Sequence, residues 1–431
     1  MKKFKKLLVI CLSMLMVLSV VAGCGNKGGS GDKEILFWAE SVGVNPEKFD
    51  EYVSYFNENN PYGYTMKTEL KESLTGSLRE ARIAGIGPDV VSFPRWETAT
   101  SYALVKDLTD LIAEDEIDIE DYHPEAVKEL KVGDKLYGIP TDVDAWGIWV
   151  NQDMVDAYNT ANPSSKIELP LDTWAEWKEV AQKLTKKNGT QFETMGFNSE
   201  GFRGQMYTMM QTAGVNYVNT DVSPCTINLP EEEATAVLNF IYDMVFNAGV
   251  YAPHTSSTAN FYQGKVAMQF GSTGFKQEVD TYAGKSDAMN MTFMGNPARS
   301  ATQGKVSGII GGFSYAIPNI KSVKVDKSWK AIKWMLSDDV MTKFCELNGV
   351  MPAKASLQTD ELLSANPTFM TLRGLLPTYV TRPSVRGYST MEVSVMFGEM
   401  DKLIAGTQDV KTTLSNMVKN GNQVFELAVG M

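Results

Sequence analysis

The stretch Gly133–Asp153, GDKLYGIPTDVDAWGIWVNQD, decides how this chain is divided. It opens on a turn and a short strand, Lys135–Pro140. Proline has no N–H to give to a sheet ladder, so a central strand is expected to stop at Pro140. An acidic, aromatic segment follows, with Asp142, Asp144 and Trp146. An alternating strand, Trp146–Asn151, then runs into a helix. Carboxylates and tryptophans crowded just after a strand stop are unusual for a plain connector. The reading is that the chain passes here from one lobe to another, and that a ligand sits against the crossing.

The length agrees. A chain of 431 residues is too long for one compact core, so two lobes are the default. With 43% hydrophobic and 21% charged residues, wholesale disorder is not expected. The net charge of −12 repels nucleic acid and anionic lipid, so neither is an expected partner. The chain has 2 histidines, His123 and His254, which leaves little room for a zinc site or a histidine-based triad.

The N-terminus addresses the compartment. MKKFKK is a basic start, and Leu7 to Ala22 is an apolar run shorter than the roughly 20 residues a membrane span needs. The run ends in Val21-Ala22-Gly23-Cys24, which resembles a bacterial lipobox with valine in place of leucine. That resemblance implies cleavage before Cys24 and a lipid anchor on its sulfur. The alternative is an ordinary signal peptide with an incidental cysteine. Residues 1–23 are thus expected to be a signal and 24–33 a flexible tether, reaching about 15–18 Å. Of the 4 cysteines, Cys225 and Cys345 remain in the mature body, either as a disulfide or as two buried thiols. No Cys/His spacing supports a metal, and no cofactor is expected.

The body begins with an apolar strand at Ile35–Trp38. Asn45-Pro46 then supplies a helix cap and first residue, and Phe49, Tyr52, Val53 and Phe56 share one helical face. A strand at Tyr64–Leu70 completes a β-α-β unit. A helix at Leu74–Ala84 and a strand at Asp89–Phe93 come next. Trp38-Ala39-Glu40 and Arg95-Trp96 stand at carboxyl ends of strands, where ligands bind in open α/β sheets. The same tryptophans would serve equally to pack under loops. The acidic run Glu114–Asp121 reads as a solvated face.

Beyond the opening stretch, Thr173 and Glu176 match a capping box, and Trp174, Trp177, Val180, Ala181 and Leu184 form the apolar face of the helix behind it. Helices are expected at Phe202–Ala213 and Pro230–Phe246, and strands at Lys265–Phe270 and Phe313–Pro318. Further helices are expected at Lys327–Leu336, Val340–Asn348, Thr390–Ile404 and Val410–Leu427.

Several separated motifs now fit one family. Pro88-Asp89-Val90-Val91 is one, and Gly133 to Pro140 followed by Trp149-Val150-Asn151-Gln152-Asp153 is another. Thr173-Trp174 to Leu184-Thr185, Phe261 with Gly264-Lys265-Val266-Ala267-Met268, and Gly311-Gly312 to Ile317-Pro318 follow in order. Gly349, Pro352 and Arg382-Pro383 complete the set. Together they resemble a bacterial extracellular solute-binding protein of the sugar-binding (family 1) type, the receptor of an ABC importer. The resemblance implies a periplasmic-binding-protein-like α/β fold of two lobes joined by a hinge of crossing segments, expected near Thr141–Asp144, Gly271–Gly274 and Pro318–Lys321. The N-lobe would comprise 34–141 and 272–320, and the C-lobe 142–271 and 321–431. Where many family members carry a tryptophan after the Lys-Val-Ala-Met strand, this chain has Gly274-Phe275.

Sugars offer hydroxyls that carboxylates, amides and arginine can pair with, and apolar faces that aromatic rings cover. The expected lining is Trp38, Glu40, Arg95, Trp96, Asp142, Asp144, Trp146, Phe202, Arg203, Phe275, Arg382 and Arg386. Arg382 and Arg386 would equally brace C-terminal helices. A neutral sugar or oligosaccharide is the leading cargo. The four arginines would suit an acidic sugar, and the carboxylates with tryptophans a polyamine or other cation. Asp142 with Glu40 could imitate a glycosidase pair, but no catalytic motif accompanies them, and an enzyme is not expected. The expected partners are the sugar, the permease subunits of the importer and, through Cys24, the membrane. A monomer is expected.

Overall fold

The structure, a computed structural model, describes residues 31–41, 45–199, 202–252, 258–275, 289–301, 306, 308–364 and 366–429. The signal-peptide and Cys24 readings lie outside these residues. Among the described residues, no helix is long and apolar enough to cross a membrane.

Besides three short two-stranded hairpins among the described residues, the strands of the two main sheets are β1 (Glu34–Glu40), β2 (Thr65–Lys71), β3 (Val90–Pro94), β4 (Ile139–Pro140), β5 (Asp142–Asn151), β6 (Met268–Ser272), β7 (Met291–Met294), β8 (Gly308–Gly311), β9 (Phe313–Ala316), β10 (Met351–Pro352) and β11 (Tyr379–Val380). The N-lobe sheet runs β2-β1-β3-β9-β4. Its first three strands are parallel, joined through the helices Pro46–Asn59 and Leu74–Ala84, and β9 lies antiparallel to β3 and β4. Alternation in β1 buries Ile35, Phe37 and Ala39 on one face and leaves Trp38 on the other. The helix Pro46–Asn59 starts as expected: Asn45 caps it through the Lys48 N–H, Pro46 is its first residue, and Phe49, Tyr52 and Phe56 are buried.

The opening stretch divides at Thr141. β4 ends at Pro140 on β9, and β5 begins at Asp142. The acidic segment expected as a connector before a strand at Trp146 is itself strand, because β5 is one continuous strand of 10 residues. Its first half pairs with β10 at Asp142 and Val143, and with β8 at Asp144 and Ala145. Its second half pairs with β6 and β7. The hinge is therefore a shared, hydrogen-bonded strand.

The crossings differ from those expected. No crossing is found at 271–274: Phe275 packs on Trp149, and β7 pairs with β5 beside β6. The second crossing is at Gly311-Gly312, between β8 on β5 and β9 in the N-lobe sheet. Residues 321–348 join the N-lobe rather than the C-lobe. The helices Val325–Met335 and Asp338–Asn348 pack into the N-lobe core: Trp334 meets Phe56 edge-on at 5.1 Å, and Phe344 meets Tyr52 at 5.1 Å. The buried Lys327 ammonium reaches Asp89 at 2.8 Å and the Glu34 carbonyl at 2.7 Å. These contacts could not be anticipated from helical periodicity, which gives a face but not its partner. The third crossing falls at 379–381. There β11 pairs with β8, the Thr381 N–H donates to Glu125 of the N-lobe, and the Thr381 carbonyl accepts from Tyr207 of the C-lobe.

The C-lobe core gathers Trp174, Trp177, Phe197, Tyr207, Val237 and Met268 with Tyr388, Met391 and Phe425 from the C-terminal helices. Its capping box is complete: the Glu176 N–H donates to Thr173 Oγ1 at 3.3 Å, and Glu176 Oε2 accepts the Thr173 N–H at 2.9 Å. Cys345 is buried in the N-lobe core and Cys225 packs half-buried on the C-lobe core, so both are free thiols rather than a disulfide.

Candidate functional site

The carboxyl edge of the N-lobe sheet meets the hinge strand at a small cavity of about 110 Å³. Glu40 ends β1, Ser92 lies in β3 and Phe313 begins β9, so three strands of the sheet point into it. β5 contributes Asp142 and Asp144, and the C-lobe side contributes Ser272 and Gly274. Phe49, Phe344 and Asn348 come from two N-lobe helices that pack on each other.

The carboxylates are held differently. Asp142 is buried; its Oδ1 accepts the Thr141 hydroxyl at 2.6 Å and the Phe313 N–H at 3.1 Å. Burial pushes its pKa up to about 6, against the pull of the nearby Arg95 guanidinium. Asp144 is half-buried; its Oδ1 accepts the Thr273 hydroxyl at 2.6 Å and the Gly274 N–H at 3.2 Å. Burial raises its pKa and these hydrogen bonds oppose the rise. Glu40 accepts the Leu74 N–H at 3.4 Å, and burial again raises its pKa. The Leu74 N–H belongs to the first turn of a helix, where backbone donors are otherwise unpaired.

The structure thus brings Glu40, Asp142 and Asp144 to one space. Trp96 stands beside it, edge-on to Phe313 at 5.7 Å, and Trp146 lies half-buried on Phe270 at 5.5 Å. Trp38 does not line the cavity. It packs toward Leu74 and Leu78 with the Lys71 ammonium 3.9 Å over its ring.

Six other expectations are corrected. Arg95 is fully buried: its Nε pairs with Glu129 at 3.0 Å, and its other nitrogens donate to the carbonyls of Asp142, Phe313 and Gly311. A guanidinium fits there because the crossing strands turn three carbonyls toward one buried point; the Phe313 carbonyl also accepts the Thr141 N–H at 3.0 Å. Phe202 and Phe275 are core residues, one packed against Phe197 and Tyr251, the other against Trp149 and Phe261. Arg382 is inside, paired with Glu392 at 3.2 Å. Arg203 forms a two-bond surface pair with Asp401 at 2.8 and 3.0 Å. Arg386, also away from the cavity, donates to the Tyr102 hydroxyl at 3.0 Å.

Sequence reasoning missed Ser92, Ser272, Phe313, Phe344 and Asn348. Phe313 had a signal in the glycine pair before it. Gly312 has φ +126°, and a Cβ there would lie 2.5 Å from Arg95 Nη1 and 2.8 Å from the Asp142 carbonyl. The serines and Asn348 had none, since a helix end reaching over a sheet edge is a tertiary fact. A larger hollow of about 570 Å³ lies at the far end of β5, near Asn151, Tyr158 and Tyr262. It is open and holds none of the expected residues, so the hinge cavity is the better candidate. Among the described residues, no cluster of His, Cys, Asp or Glu could hold a metal ion.

With this geometry in place, comparison with known proteins gives the class. A model of the family described as "Bacterial extracellular solute-binding protein" matches residues 51–371, and the chain belongs to that family. The family is extracytoplasmic by that description. The galactooligosaccharide-binding protein of Bacillus subtilis is 24% identical over 272 residues, which cover 58% of this chain and 58% of that protein. The chain thus spans a little over half the length of that relative.

Two solved structures share the fold. One is an ABC-transporter solute-binding protein of Thermotoga lettingae bound to α-D-tagatose, with TM-score 0.78 and 18% identity. The alignment covers 91% of this chain and 100% of that one. The other is a maltose/maltodextrin-binding domain of Bdellovibrio bacteriovorus bound to maltotriose, with TM-score 0.75 and 17% identity. The alignment covers 90% of this chain and 99% of that one.

Proposed function

We propose that this protein is the substrate-binding lipoprotein of an ABC importer. It captures a sugar or oligosaccharide between its lobes and hands it to the membrane permease, with Cys24 as the lipid anchor. The observation that carries the reading is the hinge cavity, where hydroxyls and carboxylates from both sides of the crossing surround aromatic rings. Sugars need that mixture: oxygen partners in the ring plane and apolar cover on its faces. The sugars bound to the relatives and to the structures of like fold support it.

The mechanism follows from placement. Glu40, Ser92 and Phe313 move with the N-lobe, while Ser272 and Gly274 move with the C-lobe. Asp142 and Asp144 sit on the shared strand. A ligand touching all three groups makes its full set of contacts only when the lobes are closed. Binding therefore shifts the population toward closure by no more than that difference in affinity. On this reading Glu40 and Asp142 serve as hydrogen-bond acceptors for a bound ligand, in keeping with a family of solute-binding proteins.

A thermal-shift panel of mono- and oligosaccharides tests this. A binder well above its Kd adds about 3 kcal/mol of stability and raises Tm. Small-angle scattering of the same sample should show a more compact particle. A binder that emerges from incubation shortened would replace the reading with a glycosidase.

A further inference from the structure

We infer that the hinge cavity excludes acidic sugars: it takes an uncharged or amine-bearing sugar and rejects the matching uronic acid. The inference rests on the sugar-binding reading above and narrows it. Three carboxylates from two elements, Glu40, Asp142 and Asp144, line a space of about 110 Å³. Among the described residues, no lysine, arginine or histidine lines it.

Each arginine that made an acidic cargo plausible is committed elsewhere. Arg95 lies beside the cavity floor, but its guanidinium donates to Glu129 and to three hinge carbonyls. Arg203 is held by Asp401, Arg382 by Glu392, and Arg386 by Tyr102. Lys71 stands opposite Glu40 in the sheet register, yet its ammonium pairs with Glu69 at 2.5 Å and lies over Trp38.

A sugar carboxylate entering this space would lose its water, find no cation, and face like charges at short range. A hydroxymethyl group in the same place donates a hydrogen bond to a carboxylate that has acceptor capacity left. An ammonium does the same with charge assistance. Glu40 and Asp144 therefore act as discriminating residues. They serve the uncharged ligand as acceptors and turn away the oxidised one, a selection by repulsion as much as by attraction.

The test uses matched probes on the wild-type protein: α-1,4-galactobiose against α-1,4-digalacturonate, and glucose against glucuronate and glucosamine, by calorimetry at pH 7.5. The uncharged or amino member should bind on the order of 100-fold more tightly than its acid. Asp144→Asn and Glu40→Gln, which keep an acceptor oxygen and remove the charge, should each narrow the gap at least tenfold, by strengthening the acid more than they change the neutral sugar. The wild-type ratio stands without either variant should one fold poorly. An acid that binds within threefold of its neutral partner, or a gap indifferent to both substitutions, overturns the inference and leaves the sugar-binding reading intact. Absence of binding by every sugar, neutral and acidic, in this set and in the wider panel removes the sugar-binding reading and this inference with it.

Discussion

Glu40 and Arg95 stand at the carboxyl ends of neighbouring strands in one sheet, two charges at the same edge with opposite fates. Glu40 ends β1 beside an open space and accepts one long hydrogen bond from Leu74. Arg95 follows β3, fully buried, among three carbonyls and a carboxylate. What separates them is the local arrangement of backbone. Where crossing strands turn several carbonyls toward one buried point, a guanidinium is drawn inward to pair them. Where a helix N-terminus offers a single N–H, a carboxylate keeps capacity for a ligand.

The contrast can be broken most forcefully at Arg95. Arg95→Ala leaves Glu129 buried without its partner and frees the carbonyls of Asp142, Gly311 and Phe313. The expected loss is about 3–5 kcal/mol in chemical denaturation. A loss under 1 kcal/mol would show that the hinge does not depend on this brace.

Asp142→Asn is the next largest. Burial pushes the carboxyl pKa up to about 6 from the ordinary 3.8 of an aspartate. The folded state therefore holds its proton more tightly than the unfolded chain does. Ionising Asp142 costs stability above pH 6, and that cost fades as pH falls toward 4. Asparagine keeps the Oδ1 acceptor for Thr141 and the Phe313 N–H. The variant should be more stable than wild type by about 2 kcal/mol at pH 8. The difference should shrink to near zero by pH 4, as read from paired urea titrations. An advantage that stays constant with pH would place the titration on another group.

Glu40→Gln should sit at the opposite end from Arg95→Ala in stability and change it by about 0.5 kcal/mol or less. Its effect should appear in selectivity, with an acidic sugar gaining well over tenfold in affinity while an uncharged sugar, which still finds an acceptor oxygen, changes by about threefold or less. Unaltered affinity for both would take Glu40 out of the site. Arg203→Ala is the smallest: its pair with Asp401 is on the surface, side chains 50% and 44% exposed, and should cost about 0.2–1 kcal/mol, decreasing with salt.

Much of the fold was legible because it is local. The capping box at Thr173 and Glu176, the Asn45-Pro46 start and the stop at Pro140 all rest on neighbours within a few residues. The carboxylates around the cavity were legible too, since Glu40 ends β1 and Asp142 and Asp144 come just after the stop at Pro140. What the sequence did not reveal was which lobe owns a helix. The helices at 325–348 have clear apolar faces, but the partners of those faces, Phe56 and Tyr52, lie nearly 300 positions earlier. The arginines misled for a related reason. Their spacing suggests nothing about Glu129, Glu392 or Asp401, and those partners decide whether a guanidinium is available. Phe202 and Phe275 were expected in the lining, yet packing with Tyr251 and Trp149 takes them inward.

The position of β9 has a consequence for how the chain is made. It fills the gap between β3 and β4, strands that precede it in sequence by about 200 residues. Until it arrives, the N-lobe sheet is two pieces with facing bare edges, each able to recruit a strand from another chain. Closing a contact of that sequence separation is slow. A chain ending at Gly311 would hold every strand of the C-lobe sheet except β10 and β11 but lack β9, and its N-lobe half would be the part that aggregates.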